Sequence, residues 1–112
     1  MATFPMRQTG AINVITNLHK QCDLMIVCLN QYDVIPEEFP KYENVKYYLA
    51  GEKHKIPDRG CINKMIWLGK YPGYYMTVDD DIIYPGDYCK TYVEHMKKFN
   101  NSCIMSYEGR RY

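Results

Sequence analysis

Residues 24–30 read LMIVCLN, an unbroken apolar run that ends in an asparagine. Such a run is typical of a β-strand buried on both faces, and these strands belong to parallel sheets covered by helices. Upstream, apolar residues at helical spacing share one face of a predicted helix: Ala11, Ile15, Leu18 and Cys22. Helix followed by buried strand predicts an α/β layered fold.

Two further strands are predicted on either side of this unit. Residues 2–6 form a short strand before the helix, and Thr9 stands where an N-cap residue would start that helix. After the apolar run, the polar and proline-containing residues 31–44 are typical of an exposed connection. Residues 45–49 follow as the third strand.

After the third strand, a polar loop and a helix are predicted. Residues 51–57 form the loop, and Asp58 can cap a helix that begins near Gly60. Pro72 and Gly73 end that helix. The residues expected on its inner face are Ile62, Met65, Ile66 and Gly69.

The last third of the chain predicts a strand, a helix and a final strand. Residues 74–78 form a fourth strand, and residues 102–107 a fifth. Pro85 suits the first turn of the helix between them, which Asn100 and Asn101 end. The residues that this helix would turn inward are Cys89, Tyr92, Val93, Met96 and Phe99.

This alternation predicts one α/β domain, residues 1–112, with a mostly parallel sheet and helices on both faces. Lys and Arg number 14 against 13 Asp and Glu, and this balance gives no reason to expect a nucleic-acid partner. No run approaches the roughly 20 apolar residues of a transmembrane segment. Five cysteines without paired spacing indicate buried thiols in a reducing compartment, so we expect a cytoplasmic protein.

Asp79, Asp80 and Asp81 follow the fourth predicted strand directly. Ligands of open α/β sheets bind beyond the carboxyl ends of the strands, where this triplet lies. Adjacent carboxylates repel one another unless a cation neutralises them. In an extended segment Asp79 and Asp81 could share one ligand, and oxygen ligands suit Mg²⁺ or Mn²⁺. The alternative is a solvated turn whose aspartates cap the next helix.

Residues 74–88 read YYMTVDDDIIYPGDY, and they resemble the DXD region of family 2-type GT-A glycosyltransferases, especially bacterial enzymes of surface-polysaccharide synthesis. Other segments resemble this family in the same order: ATFPMR (2–7) its first strand, LMIVCLNQYD (24–33) its second strand and turn, PDRGCINKM (57–65) its glycine-containing turn before a helix, and CIMSYEGRRY (103–112) the strand after the DXD-following helix. The resemblance implies the nucleotide-sugar-binding half of a Rossmann-like GT-A sheet, truncated after about five strands.

The resemblance also implies roles for particular residues. Asp81 would hold the divalent cation that bridges the donor diphosphate, Asp79 would lie near the ribose and the cation, and Asp80 would face backbone or sugar. The residues expected to border the nucleotide are Thr3, Pro5 and Arg7 at the base and ribose, Asn30 where many relatives carry an acidic residue, Asp58 at the base, and Arg59 and Lys64 at phosphate or base. The structural alternatives are a helix cap for Asp58 and a solvated helix surface for Lys64.

The implied activity is glycosyl transfer from a nucleotide-diphosphate sugar, UDP-sugar first, to a glycan or lipid-linked acceptor, with Mn²⁺ or Mg²⁺ as cofactor. In this family the acceptor site and the catalytic base follow the segment where this chain stops, so we expect the base to be absent. Glu108 stands where relatives often carry histidine. An uncovered sheet edge would support self-association, and a lipid-linked acceptor would place the protein at the inner face of the membrane.

Three alternatives remain open. A nucleotide-sugar-binding fragment without the acceptor half would bind the donor and transfer nothing. A response-regulator-like domain also gathers aspartates, but at the ends of separate strands, whereas these three are contiguous. A nucleotidyltransferase would need a glycine-rich phosphate loop, and the chain offers only a poor version of one at residues 3–10, TFPMRQTG.

Overall fold

The computed structural model describes residues 1–106 as a small α/β domain. Three strands form a parallel sheet in the order β1–β2–β3: β1 is Ala2–Thr3, β2 is Met25–Asn30 and β3 is Val45–Ala50. Two α-helices accompany the sheet, α1 at Gln8–Leu18 and α2 at Tyr88–Lys98. The predicted α/β layering with a parallel sheet is thus confirmed, and the arrangement is compatible with a Rossmann-like layout.

β2 is the buried strand that its composition predicts. Val27, Cys28 and Leu29 have no exposed surface. Their side chains alternate between two faces, because Val27 and Leu29 join the apolar cluster of α1, whereas Cys28 packs with Ala50 and Trp67 on the other side. A strand covered on both faces favours apolar side chains, which explains the apolar run; the polar Asn30 at its end is buried with hydrogen-bond partners.

Both α-helices lie on the first of these faces. Ile15 and Leu18 of α1 are buried in its cluster, as their helical spacing predicts, and Tyr88 at the start of α2 belongs to the same cluster. The opposite face is covered by a short 3-10 helix, Gly60–Met65, and by Trp67 beyond it. Helices therefore cover both faces, but the second face carries a 3-10 helix in place of the expected α-helix.

The inner face of this 3-10 helix also differs from the prediction. Ile62 is 61% exposed and Met65 is 41% exposed, whereas Asn63 is completely buried. A 3-10 helix repeats every three residues, so the 3.6-residue spacing of an α-helix selects the wrong side chains.

The connection between β2 and β3, residues 31–44, contains no regular element and crosses the sheet with one aromatic anchor. Phe39 is buried, with its ring centroid 5.9 Å from that of Tyr32 and 5.4 Å from that of Tyr47. The Tyr47 hydroxyl donates a hydrogen bond to the Pro40 carbonyl at 2.6 Å. The predicted exposed connection is confirmed for most of its length, but these aromatic contacts hold it on the core.

The first strand is shorter than predicted. β1 ends at Thr3, because Pro5 has no N–H for a ladder and begins a 3-10 helix, Pro5–Arg7. This turn leads without a break into α1, whose N-cap position is Arg7. Thr9 lies inside α1, so its prediction as the N-cap is wrong.

The predicted fourth and fifth strands form no ladder in the described part of the chain. Residues 74–78 run without strand pairing, although Val78 is buried. β1 offers only two residues to a neighbour, which leaves little backbone with which to pair. Residues 102–106 form no strand and Ile104 is fully exposed, while residue 107 lies outside the described residues. The sheet therefore has three strands among residues 1–106 and not five.

α2 follows its prediction closely at one end. It begins at Tyr88, later than expected, because Pro85 forms the preceding turn and its carbonyl accepts the Tyr88 amide. Asn100 and Asn101 adopt left-handed conformations, at φ 53° and 56°, and end the helix as predicted. Phe99 is 57% exposed, so its predicted inward position is wrong. The other predicted inner residues are half-buried: Cys89, Tyr92, Val93 and Met96.

The cysteines are free thiols, of which Cys28 is buried and Cys61 exposed. Burial raises the pKa of the Cys22 thiol to about 11, so this side chain behaves as an apolar group at neutral pH. The predicted burial is confirmed for Cys28 alone, because Cys22, Cys89 and Cys103 are half-buried and Cys61 is exposed. Within residues 1–106, no helix combines the length and apolar character needed to cross a bilayer.

Candidate functional site

A cavity of about 620 Å³ opens at the carboxyl end of β1. Four parts of the chain form its wall: residues 2–7, Gln31, the turn at Gly60 and Cys61, and residues 79–81. β1 and β2 are parallel, so the residues that follow them lie at the same edge of the sheet. Residues 79–81 are joined to this edge by hydrogen bonds from Thr3 and Arg7.

The cavity brings together six of the residues singled out in the sequence: Thr3, Pro5, Arg7, Asp79, Asp80 and Asp81. The other four do not line it: Asn30, Asp58, Arg59 and Lys64. The first group comes from two segments more than 70 positions apart, and hydrogen bonds join these segments directly.

Asp80 is the buried member of the triplet. Its side chain is 6% exposed, and it accepts hydrogen bonds from Thr3 Oγ1 at 2.7 Å and from Arg7 Nη1 at 3.0 Å. A buried carboxylate needs such partners, because the loss of water is costly unless hydrogen bonds and opposite charge replace it. Asp80 therefore fastens the triplet to the segment that follows β1.

Asp79 and Asp81 face solvent and contact different cations. Asp81 is 55% exposed and accepts a hydrogen bond from Arg7 Nη1 at 2.6 Å, so Arg7 bridges Asp80 and Asp81. Asp79 is 48% exposed and pairs with Lys64 Nζ at 2.5 Å. In this structure Asp79 and Asp81 thus contact different cations. The chain turns at residues 80 and 81, so the extended segment assumed for their shared ligand is not formed, and the shared ligand stays a prediction.

The charges at the triplet do not cancel within these ion pairs. Three carboxylates face two cations, Arg7 and Lys64, so one negative charge is left over. The hydrogen bond that Arg7 donates to Asp80, together with the charges of Asp80 and Asp81, raises the pKa of Arg7, so its guanidinium stays charged at any working pH. The site therefore keeps a net attraction for a further cation.

Asp79 is also held through its backbone. Its amide donates a hydrogen bond to the Tyr84 hydroxyl at 2.8 Å, and Asn17 of α1 donates to the Tyr84 carbonyl at 2.6 Å. Tyr84 is buried and its ring meets that of Tyr88 edge-on at 4.6 Å. The segment after the triplet is thereby clamped between α1 and α2.

Gly10 allows α1 to approach the triplet. A Cβ atom at this position would lie 2.6 Å from the carbonyl oxygen of Asp80, which is closer than real Cβ contacts allow. Glycine in a helix costs about 1 kcal/mol relative to alanine, so this position trades helix stability for close packing. In the sequence, a destabilising glycine inside the predicted helix is the feature that indicates a close contact at this position.

Asn30 and Asn63 form a buried polar network behind the cavity. Asn63 donates to Asn30 Oδ1 at 2.9 Å and to the Pro57 carbonyl at 3.0 Å, and Asn30 donates to the Gly60 carbonyl at 2.9 Å. Asn30 is 4% exposed, and its side-chain amide donates to the protein's own backbone. The sequence instead predicts that Asn30 borders the nucleotide. The network positions the turn at Gly60 that borders the cavity.

Asp58 and Arg59 lie on the turn between this cavity and a second one. Asp58 accepts a hydrogen bond from the Gly60 amide at 2.8 Å and lines the second cavity, of about 700 Å³. Arg59 is exposed, and its amide donates to Asn63 Oδ1 at 3.2 Å. Gln31 borders both cavities and adopts a left-handed conformation at φ 63°, which is uncommon outside glycine. Asp58 thus closes a turn just before the 3-10 helix, but the N-cap residue of that helix is Arg59, so Asp58 is not the predicted helix cap.

The protein's own ligands for a metal ion are few at the cavity. Among residues 1–106, no three His, Cys, Asp or Glu side chains are grouped closely enough to hold a metal ion. The accessible oxygen donors are the carboxylates of Asp79 and Asp81. Mg²⁺ commonly binds proteins through one or two carboxylates and completes its coordination shell with water and substrate phosphates. The carboxylates of Asp79 and Asp81 fit this kind of site.

Four residues that shape the site escaped the sequence analysis as functional positions: Gly10, Gln31, Asn63 and Tyr84. The polar side chain of Asn63 inside an apolar-periodic segment was its only local signal. Comparison of the chain with protein-family models and with curated proteins finds no match.

Proposed function

We propose that this chain binds a nucleotide-sugar in the cavity beside Asp79, Asp80 and Asp81, as the donor-binding part of a GT-A-type glycosyltransferase. One observation carries the proposal: the triplet, Thr3 and Arg7 meet around a single cavity at the carboxyl end of β1. Open α/β sheets bind their ligands at this edge. The resemblance of residues 74–88 to a DXD region supports the same assignment.

The cavity has the size and composition that such a ligand requires. Its volume of about 620 Å³ falls within the range of small-molecule sites. Arg7 supplies N–H donors, whereas Phe4 and Pro5 supply an apolar wall. The Arg7 guanidinium lies 5.5 Å from the centroid of the Phe4 ring. A flat base or ribose and a charged diphosphate would each find complementary groups here.

Asp79 and Asp81 would hold a divalent cation together with the donor diphosphate. The Arg7–Asp81 pair does not prevent this, because exposed ion pairs stabilise a protein by only about 0–1 kcal/mol and open readily. Asp79 would also have to leave Lys64, whose side chain is 22% exposed. Two carboxylates without a third protein ligand make a weak site on their own. Phosphate oxygens of the donor would complete it, so we expect cation binding to depend on the nucleotide.

The chemistry of glycosyl transfer suits these groups. Cleavage of the sugar–phosphate bond leaves negative charge on the nucleoside diphosphate, and a bound Mg²⁺ or Mn²⁺ supplies Lewis-acid stabilisation of that charge. Arg7 adds a fixed positive charge at the same wall, and Thr3 with Asp80 keeps it in place. The acceptor would be a glycan or lipid-linked sugar.

A second candidate is donor binding without transfer. An inverting transferase needs a carboxylate that takes the proton of the acceptor hydroxyl. Each of the three carboxylates at the cavity already accepts a hydrogen bond from Thr3, Arg7 or Lys64. We therefore assign no catalytic base among these three carboxylates. Release of the sugar from a UDP-sugar or GDP-sugar in the presence of Mn²⁺ and a glycan acceptor would exclude this candidate.

Calorimetric titration of UDP, GDP and CMP, with and without Mn²⁺, tests donor binding. We expect one nucleoside diphosphate to bind, to bind tighter with Mn²⁺ than without, and to lose at least about tenfold in affinity in Asp81→Asn. Asp87→Asn is the matched control, because Asp87 is exposed and outside the cavity wall. Absence of binding by a folded wild-type chain, or an equal loss in Asp87→Asn, would contradict the proposal.

A further inference from the structure

The three adjacent aspartates differ in exposure and in partners. Asp80 has a 6% exposed side chain fixed by Thr3 and Arg7, whereas Asp81 is 55% exposed and contacts only Arg7 in the ion pairs described. One nitrogen of Arg7, Nη1, serves both carboxylates. Arg7 therefore has one buried anchor and one exposed partner.

The two contacts of Arg7 respond differently to competition. Asp81 can rotate into water and give its oxygens to another cation at little cost, because an exposed ion pair is weak. Asp80 cannot do so, because a buried carboxylate stripped of its partners would be costly. When Asp81 leaves, Arg7 stays beside Asp80 with four of its five N–H donors, including the one freed on Nη1, available to an anion.

We infer that Arg7 contacts the diphosphate of the bound nucleotide. Before ligands bind, Arg7 is paired with both Asp80 and Asp81; after they bind, it keeps only its contact with Asp80. The inference rests on the proposed function and adds a specific exchange to it. The contact between Asp81 and the guanidinium breaks. Asp81 then binds the divalent cation, and the guanidinium donates to a phosphate oxygen.

This exchange predicts that the cation and the nucleotide bind cooperatively. Each ligand alone must break the Arg7–Asp81 pair, whereas together they replace both of its halves with new charged contacts. The coupling is reciprocal, so Mn²⁺ raises nucleotide affinity by the same factor by which the nucleotide raises Mn²⁺ affinity. Arg7 competes with the cation and assists the nucleotide, and removing it should change the two affinities in opposite directions.

The test measures Mn²⁺ and a nucleoside diphosphate, UDP and GDP in turn, each alone and together, in wild type and Arg7→Gln. Calorimetry follows the nucleotide and electron paramagnetic resonance follows free Mn²⁺. We expect Arg7→Gln to bind Mn²⁺ alone about 2- to 5-fold tighter, because an exposed competing ion pair is gone. We expect its nucleotide affinity with Mn²⁺ to fall about tenfold or more, because a charged hydrogen bond is lost.

Two further variants separate this role from a structural one. Arg7→Lys keeps a cation near Asp80 and should recover part of the nucleotide affinity, while Lys41→Gln removes an exposed charge far from the cavity wall and should change neither affinity. If Arg7→Gln weakens both ligands together, or changes neither, the inference is wrong while donor binding stands. If the wild type binds no nucleotide, the proposed function fails and the inference fails with it.

Discussion

Residues 1–50 and residues 51–106 form two halves that are held together in different ways. The first half contains the whole sheet and α1, and its strands are joined by regular parallel ladders. The second half contains one α-helix, one 3-10 helix and long stretches without regular structure. Its segments are fastened by side chains, such as Asn63 to the Pro57 carbonyl and the Tyr84 hydroxyl to the Asp79 amide.

The difference teaches where the candidate site comes from. The aspartate triplet belongs to the irregular half, but Thr3 and Arg7, which donate hydrogen bonds to Asp80 and Asp81, and Gly10, which lies against the Asp80 carbonyl, belong to the regular one. Backbone ladders give the first half a geometry of its own, whereas the second half acquires its geometry by docking on the first. The cavity exists only where the two halves meet, so its integrity should report on that docking.

The largest expected effect is the loss of core packing in the regular half. Leu29→Ala removes a completely buried side chain from β2 and should lower the free energy of unfolding by about 2–5 kcal/mol. Ile62→Ala, at a 61% exposed position in the second half, is the control and should change it by less than about 0.5 kcal/mol. Urea unfolding measured by circular dichroism gives both values.

The same experiment tests whether the halves unfold together. Trp67 is the one tryptophan of the chain and packs with Cys28 of β2 and Ala50 of β3, so its fluorescence reports on docking. We expect the fluorescence and circular dichroism transitions of Leu29→Ala to shift by the same amount. Separate midpoints would show that the second half has an independent core, contrary to the comparison above.

A smaller effect is expected from the buried polar network. Asn63→Ala leaves Asn30 Oδ1 and the Pro57 carbonyl without their donor and should cost about 1–3 kcal/mol of unfolding free energy. Asn13→Ala, at an exposed position of α1, should be neutral or slightly stabilising because alanine favours helix. Similar destabilisation in both variants would mean that the network does not hold the second half in place.

The smallest expected effect concerns the contact between α1 and the triplet. Gly10→Ala gains about 1 kcal/mol of helix propensity but pushes a methyl group against the Asp80 carbonyl, an overpacking that costs about 1–3 kcal/mol. We expect a net loss of about 0–2 kcal/mol in thermal unfolding. Gly86→Ala meets nothing within 4 Å and serves as the control. Clear stabilisation by Gly10→Ala would show that α1 does not press on the triplet.

The regular half follows from its residues more closely than the irregular half does. Apolar composition and spacing predict β2, β3 and the inner face of α1. These sequence properties repeat along the chain, so they need no knowledge of distant neighbours. The 3-10 helix at Gly60–Met65 was predicted as an α-helix, because both begin with the same turn signals. The prediction of a fourth strand is wrong because a strand needs a neighbour for backbone pairing, and β1 has only two residues with which to pair.

The sequence by itself determined the layered α/β plan and the position of three carboxylates after a buried valine, because hydrophobic period and local order suffice for both. Only the tertiary structure decided that Asp80 is buried while Asp79 and Asp81 face water, and that Arg7 bridges two of the three. Arg7 and Asp81 are 74 positions apart in the chain. Their contact depends on how α1 and the turn at residues 80 and 81 pack, which no local pattern specifies.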